Sequence, residues 1–325
     1  MKKAKPAVIL ILKLAVSAGL LAYLLSRIHI ERFWGTFASA DFSYITIALV
    51  VYLATQMISA LRWDVLARPM GFAIPFKEIV VYYLIGMFFN LFAPGTVGGD
   101  VSRVYYLARE GEQDPTQGWA RSTLPAAVSV FMDRAVGMVV LVWLGAIGLA
   151  LFPRYGVPLV VRYVTFALAL SFVVIGLCVP LLRRVLPEDG HPFVVKLRLA
   201  LRSYRTRWRV IPQAMLLSLV IHLIQAWMHL IVGRAIQIDI PFSYCLILYP
   251  LVGTFAAIPI SLNGIGLREG GYLVLLGVIG VNSTQGVAFG LLLFAVVVLD
   301  SLTGGLAFLL KKGPKPNEAV SAHSS

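Results

Sequence analysis

The chain has 325 residues, of which 59% are hydrophobic and 13% are charged, and its formal net charge is +13. Soluble proteins carry about a quarter charged residues, so the composition excludes an ordinary soluble enzyme. The basic excess does not indicate a nucleic-acid partner, because Lys and Arg are concentrated in loops between apolar segments, as on the cytoplasmic side of membrane proteins. Two of these loops are Arg62–Lys77 and Arg183–Arg209.

Apolar segments of about 20 residues recur along the chain, and each is long enough to cross about 30 Å of hydrocarbon as a helix. The first has no convincing cleavage site, which favours an uncleaved span over a signal peptide. We assign residues 1–312 to one membrane domain and 313–325 to a polar tail. The apolar segments are Ala7–Ser26, Tyr44–Leu61, Leu124–Phe152, Leu159–Leu182, Ile211–Val232, Leu262–Val281 and Gly286–Leu310.

Two further segments are interrupted by Pro and Gly, in PGTVGGD at Pro94–Asp100 and in PISLNGIGLREGG at Pro259–Gly271. Neither stretch favours a continuous helix. The basic residues fall mainly on one side only if Ile79–Tyr106 and Phe242–Val281 each return to the side from which they enter. The predicted fold is therefore an all-α polytopic membrane protein with six full spans and two re-entrant helical hairpins. The charge placement predicts a cell-membrane location with both termini cytoplasmic.

An ordered series of identical residues indicates an internal repeat, with repeat one at about 1–155 and repeat two at about 156–312. Each half contains three full spans, an odd number, so the two halves have opposite orientations. Inverted repeats with interrupted helices are typical of secondary transporters, although a duplicated bundle does not require transport. The matching pairs, 165 to 167 residues apart, are Arg68 and Arg234, Pro94 and Pro259, Gly99 and Gly264, Arg103 and Arg268, and Asp133 and Asp300.

Several charged residues lie within or beside the apolar segments, where each costs about 2.5–3.5 kcal/mol if it faces lipid. They must pair or line a polar cavity. One interpretation pairs Asp100 with Arg103, three residues away. The other brings Arg103 and Arg268 together as a phosphate site, because the guanidinium fork binds phosphate oxygens in a bidentate manner. Backbone N–H groups in the Gly98-Gly99 and Asn263-Gly264 breaks would add anion-binding dipoles.

Other polar residues within the membrane allow two interpretations each. Glu269 is a candidate for a proton-coupled carboxylate, and the alternative is an ion pair with a nearby Arg. His222, Gln225 and His229 share one helix face. Hydrogen bonding between helices is the favoured role for these three, and lining a cavity, together with Asp300, is the alternative. No metal site and no cofactor are predicted.

Three stretches, PGTVGGDVSRVYYLARE, MDRAVG and SLNGIGLREGGYLVLLG, resemble the lysylphosphatidylglycerol synthase transmembrane-region family, also called flippase-like. The family includes the membrane half of the bacterial multiple peptide resistance factor. The resemblance implies a bundle with re-entrant segments that, in the fused proteins, moves aminoacylated phosphatidylglycerol between leaflets. These 325 residues lack a soluble aminoacyl-transfer domain, so synthesis of that lipid is not expected. The matching positions are Pro94, Gly98, Gly99, Asp100, Arg103, Asp133, Arg134, Asn263, Gly264, Gly266, Arg268 and Glu269.

The sequence thus predicts a flippase that binds an anionic phospholipid or a lipid-linked substrate near the midplane, between the two hairpins. The first alternative is a non-catalytic membrane partner of a lipid-biosynthesis enzyme. The second is an intramembrane lipid-modifying enzyme, which is less favoured because the sequence has no nucleophile–base constellation, metal-ligand cluster or nucleotide motif.

Overall fold

The computed structural model describes residues 19, 30–92, 97–112, 119–185, 202–204, 206–258, 264 and 266–311. Its regular structure there is entirely helical, which confirms the predicted fold class. The predicted span Ala7–Ser26 and the polar tail 313–325 lie outside these residues. The helices are α1 Ile30–Ala38, α2 Phe42–Ala67, α3 Phe76–Phe92, α4 Val97–Glu112, α5 Trp119–Leu151, α6 Leu159–Val185, α7 Val210–Ala235, α8 Phe242–Ala256, α9 Leu267–Val278 and α10 Ser283–Leu310.

Five of these helices, α2, α5, α6, α7 and α10, are long and apolar enough to cross a membrane. They coincide with five of the six full spans predicted from the sequence. Asp41 caps the start of α2 by accepting the Ser43 N–H, and Asn282 caps α10 through Gln285. Because each capping side chain satisfies a backbone donor that has no partner within the helix, it marks where the span begins.

The two interrupted segments are antiparallel helical hairpins, α3–α4 and α8–α9. In the first, the Tyr82 and Tyr106 rings stack at 5.1 Å, and the Asn90 side chain accepts the Gly99 N–H nearer the tip. In the second, the Tyr244 hydroxyl donates to the Leu275 carbonyl. The helices have 17, 16, 15 and 12 residues, or at most about 26 Å. They are therefore shorter than the spans around them.

Glycine allows the arms of the first hairpin to approach closely. A Cβ atom on Gly99 would lie 2.1 Å from the Gly86 carbonyl oxygen and 2.6 Å from the Asn90 side chain. No larger residue fits without separating α3 from α4. The Gly-Gly of PGTVGGD therefore has a packing role, and the Gly99 N–H, predicted as a donor to an anion, is occupied by Asn90.

The helices of the two repeats pack in the same pattern. α3 packs against α10 and α8 packs against α5, while each hairpin's second arm packs against the last span of its own repeat. The spans that precede the two hairpins, α2 and α7, run antiparallel, since Arg62 Nη1 donates to Ser218 Oγ and Gln225 Nε2 donates to Thr55 Oγ1, both at 2.9 Å. Equivalent helices with opposite directions are the arrangement expected of an inverted repeat.

Each repeat also builds most of its own apolar core. One buried cluster joins α2, α3, α4 and α5 around Trp63, Ile79 and Leu107, and a second joins α7 to α10 around Leu248 and Phe289. The polar residues described next lie between these two clusters.

Candidate functional site

The tip of the first hairpin reaches the middle of α5 through an ion pair between Asp100 and Arg134. Arg134 Nε lies 3.0 and 3.2 Å from the two Asp100 carboxylate oxygens, and Nη2 lies 3.0 Å from Oδ1. The predicted partner of Asp100, Arg103, is looser, at 3.8 Å. The predicted pair is therefore present, and the closer contact of Asp100 is with Arg134, which lies on another helix and is not indicated by sequence spacing.

The closest carboxylate partner of Arg103 is Asp133, the centre of a buried triad. Arg103 Nη2 donates to Asp133 Oδ2, and Arg62 Nε donates to Oδ1, both at 2.8 Å. The Arg103 guanidinium carbon also lies 4.2 Å from the centre of the Trp63 ring and 4.6 Å from that of Tyr83. Two guanidinium groups thus share one carboxylate, with exposed fractions of 7% for Arg62, 3% for Arg103 and 1% for Asp133.

Arg62 is the site residue that sequence analysis missed. Its position next to an apolar segment assigned it to a cytoplasmic loop, Arg62–Lys77, but α2 continues to Ala67 and carries Arg62 into the protein interior. Gly137 on α5 makes room for it, since a Cβ there would lie 2.9 Å from Arg62 Nη1. The available signal was Trp63, which lies between Arg62 and Asp64, because tryptophan is largely buried in most proteins. In the structure Trp63 is completely buried.

In the second repeat, Glu269 is paired with its neighbour Arg268. Arg268 Nη2 and Nε lie 3.0 and 3.2 Å from Glu269 Oε1, while Oε2 accepts the Gly266 N–H at 2.7 Å. Gly266 has φ +85°, a backbone conformation that only glycine adopts easily. This capping arrangement starts α9 at the hairpin break. Of the two interpretations of Glu269, the structure shows the ion pair.

His222, Gln225 and His229 are buried and hydrogen-bonded to neighbouring groups, as the favoured interpretation expected. His222 Nε2 donates to the Gly137 carbonyl at 2.9 Å, so Nδ1 accepts from the Tyr249 hydroxyl at 2.8 Å. His229 Nδ1 donates to the Gln225 carbonyl, and Nε2 accepts from the Tyr272 hydroxyl, both at 2.7 Å. Both nitrogens of each ring are engaged, and no cluster suited to a metal ion occurs within the part of the chain that the structure describes.

Asp300 differs from its repeat counterpart Asp133. It is 6% exposed, and its Oδ2 atom has no hydrogen-bond partner among the described residues. Its helix, α10, is pressed against the first hairpin, because a Cβ on Gly304 would lie 1.9 Å from the Leu84 carbonyl oxygen. Asp300 is therefore a carboxyl group enclosed in the bundle interior that lacks the arginine partners of Asp133.

The arginines of the two hairpin regions differ in how accessible their side chains are. The Arg134 side chain is 44% exposed and that of Arg268 is 17% exposed, whereas that of Arg103 is 4% exposed. The accessible cations are thus Arg134 and Arg268.

The structure leaves some predicted site residues without a tested role. Pro94 and Asn263 lie outside the described residues. Gly98 lies in the first turn of α4, and Gly264, with φ +75°, approaches Ala256 across the second hairpin. A substrate contact at these glycines stays a prediction.

Comparison with known proteins places this arrangement in a family. The family model described as lysylphosphatidylglycerol synthase TM region matches residues 10–304, which include both hairpins and all four arginines of the site. A UPF0104 membrane protein, MJ1595 of Methanocaldococcus jannaschii, is 26% identical over 136 residues, which are 42% of this chain and 38% of that protein. Since the family model covers most of the chain, the protein belongs to the family of the lysylphosphatidylglycerol synthase transmembrane region.

Proposed function

We propose that this protein is a non-catalytic flippase of the cell membrane, which moves an anionic phospholipid or a lipid-linked phosphate between leaflets. The headgroup would bind near the midplane, between the two hairpins, in contact with Arg134 and Arg268. Family membership supports a membrane role connected with lipids, and the inverted repeat with interrupted helices supports transport.

The observation that carries the proposal is an ion pair halfway along the spans that is not enclosed by protein. The side chains of Asp100 and Arg134 are 25% and 44% exposed, and their neighbours Val101 and Phe131 are 60% and 68% exposed. Charges in such a position are costly in lipid unless a polar ligand shares them. A phosphate bound by Arg134 would supply that ligand, while Val101 and Phe131 offer apolar surface to the acyl chains.

The geometry favours Arg134 over Arg103 as the repeat-one contact to the headgroup. Arg103 is enclosed by Asp133, Trp63 and Tyr83, so a ligand would have to displace those partners. Arg134 uses Nε and Nη2 for Asp100. A guanidinium has five N–H donors, so Arg134 retains donors for a phosphate. Arg103 would act as a positioning residue that holds α4 against α5.

The test is translocation of headgroup-labelled lipids in liposomes that contain the purified protein. Single substitutions would leave a partner carboxylate unpaired, so the informative variants are the charge-neutral doubles Asp100→Asn/Arg134→Gln and Arg268→Gln/Glu269→Gln. Each should reduce the rate for anionic lipids about tenfold or more, the loss expected from one charge-assisted hydrogen bond. The matched control is Arg209→Gln, which removes an exposed arginine at the start of α7.

Two results would contradict the proposal. One is a variant that folds like the wild type and moves anionic lipid at the wild-type rate. The other is the absence of protein-dependent movement across a panel of anionic and glycosylated lipids. The second result would favour the accessory-partner hypothesis, in which the protein supports a lipid-biosynthesis enzyme.

A further inference from the structure

The two repeats have the same helices but different ion pairs, and the difference centres on Asp300. In repeat one, Arg103 on α4 reaches across to Asp133 on α5 at 2.8 Å. In repeat two, Arg268 occupies the equivalent place on α9 and bonds Glu269 on its own helix at 3.0 Å. Asp300, the counterpart of Asp133 on α10, is left with an unpartnered, buried Oδ2 atom.

Repeat two has aromatic rings at the two positions that hold the arginine in repeat one. Arg103 lies over Trp63 and Tyr83. Their counterparts, 166 residues later, are His229 and Tyr249, whose rings contact each other with centroids 5.0 Å apart.

Arg268 faces α10, the helix that carries Asp300, because its guanidinium carbon is 4.8 Å from the centre of the Phe294 ring. α9 packs against α10 as α4 packs against α5. The observed carboxylate partner of Arg268 is Glu269, and Asp300 would replace it if repeat two adopted the arrangement of repeat one.

Most charged and titratable groups around α10 already have other partners. Tyr82 bonds Glu110, Glu78 bonds Lys311, and Tyr272 bonds His229. Arg62 bonds Asp133, His222 bonds Tyr249, and Tyr83 lies against Arg103. The charged side chains of α1 lie outside the described part. The groups on the other helices packed against α10 are Tyr44, Tyr52, Arg62 and Asp64 on α2, Lys77, Glu78, Tyr82 and Tyr83 on α3, His222, His229 and Arg234 on α7, and Arg268, Glu269 and Tyr272 on α9.

A carboxylate that is enclosed in a membrane bundle without a counter-charge is costly, and binding a cation removes the cost. The Asp300 carboxylate offers at most two oxygens, of which Oδ2 has no hydrogen-bond partner among the described residues, and two oxygens are too few for a metal ion such as Na⁺ or Ca²⁺. A proton needs only one oxygen.

We propose that Asp300 is a proton-binding site, which holds a proton in the observed state and releases it when Arg268 turns from Glu269 to the Asp300 carboxylate. The exchange balances charge, because Arg268 replaces the proton at Asp300 and Glu269, left without Arg268, is free to take up a proton. That the proton drives lipid movement rests on the proposed function, whereas the protonation of Asp300 does not.

Infrared spectroscopy of the purified protein with ¹³C-labelled aspartate tests the site without any transport assay. A protonated aspartic acid gives a carbonyl stretching band separate from the amide bands, and the isotope label distinguishes it from glutamic acid. We expect this band at neutral pH in the wild type, its loss at alkaline pH, and its absence from Asp300→Asn. The matched control is Asp239→Asn, which replaces an exposed aspartate before α8 and should keep the band.

The exchange of Arg268 between Glu269 and Asp300 predicts opposite effects of two further variants on the band. Glu269→Gln removes the present partner of Arg268, so Arg268 should move to Asp300 and the band should be lost at neutral pH. Arg268→Gln removes the competitor, so the band should persist. The proposal is overturned if the wild type lacks an Asp300-dependent band at every pH, or if Glu269→Gln leaves it unchanged. Lipid translocation without the band would refute only this inference, and the band without translocation would refute only the proposed flippase.

Discussion

Asp133 carries the strongest prediction about stability, because two buried arginines depend on it. Asp133→Asn keeps the shape of the side chain but leaves Arg62 and Arg103 without a counter-charge in the bundle interior. Removing one partner of a buried ion pair costs about 3–5 kcal/mol. Arg62→Met should cost less, about 1.5–3 kcal/mol for lost hydrogen bonds to a charged group, because Asp133 and Arg103 remain as a neutral pair.

The test is whether Asp133→Asn lowers the free energy of unfolding more than Arg62→Met does. Unfolding in mixed micelles with increasing dodecyl sulfate can be followed by tryptophan fluorescence. Trp63, whose ring centre lies 4.2 Å from the Arg103 guanidinium carbon, contributes to this signal. The control is Arg209→Gln, which removes an exposed arginine at the start of α7 and should change stability by about 0.5 kcal/mol or less. The reasoning is wrong if Asp133→Asn is no more destabilising than Arg62→Met, or if it matches the control.

Two further predictions concern the hairpins. Gly99→Ala should separate α3 from α4 and markedly lower stability in the same unfolding assay. The control is Gly277→Ala, whose Cβ would meet nothing within 4 Å and which should have little effect. Equal effects of the two substitutions would contradict the close packing. Single cysteines at positions 97 and 265, introduced after replacing Cys178 and Cys245, should react with impermeant thiol reagents added from opposite sides. Labelling of both positions from the same side only would contradict the inverted hairpins.

The repeat is the feature that the sequence and the structure describe most consistently. The pairs Gly99 and Gly264, and Arg103 and Arg268, predicted two hairpins of opposite orientation, and the helices α3–α4 and α8–α9 are found at those positions. The positions of the helix breaks were predictable because Pro and Gly interrupt helices locally, and those of the spans because hydrocarbon thickness sets the length of a span. Both constraints act on residues that are close in sequence, so they can be recognised from the sequence alone.

The site was predicted less completely. The sequence named Asp100, Arg103, Asp133, Arg268 and Glu269 as residues that must find partners, because isolated charges are costly in a membrane. Glu269 does pair with its sequence neighbour Arg268. Asp100 lies 3.8 Å from Arg103, as the spacing of three indicated, but its closer partner is Arg134, 34 positions away, which no local pattern indicates.

What the sequence determined by itself is the class of the protein: a helical membrane bundle with a duplicated, interrupted design and buried charges that need partners. These follow from hydropathy, spacing and the cost of charge in hydrocarbon. Only the tertiary structure decided which charges meet. It brought Arg62 into the interior, enclosed Arg103, left Arg134 accessible and left Asp300 without the partners of Asp133. The physical reason is that ion pairing depends on distances of about 3 Å between helices, and those distances are set by how the whole bundle packs.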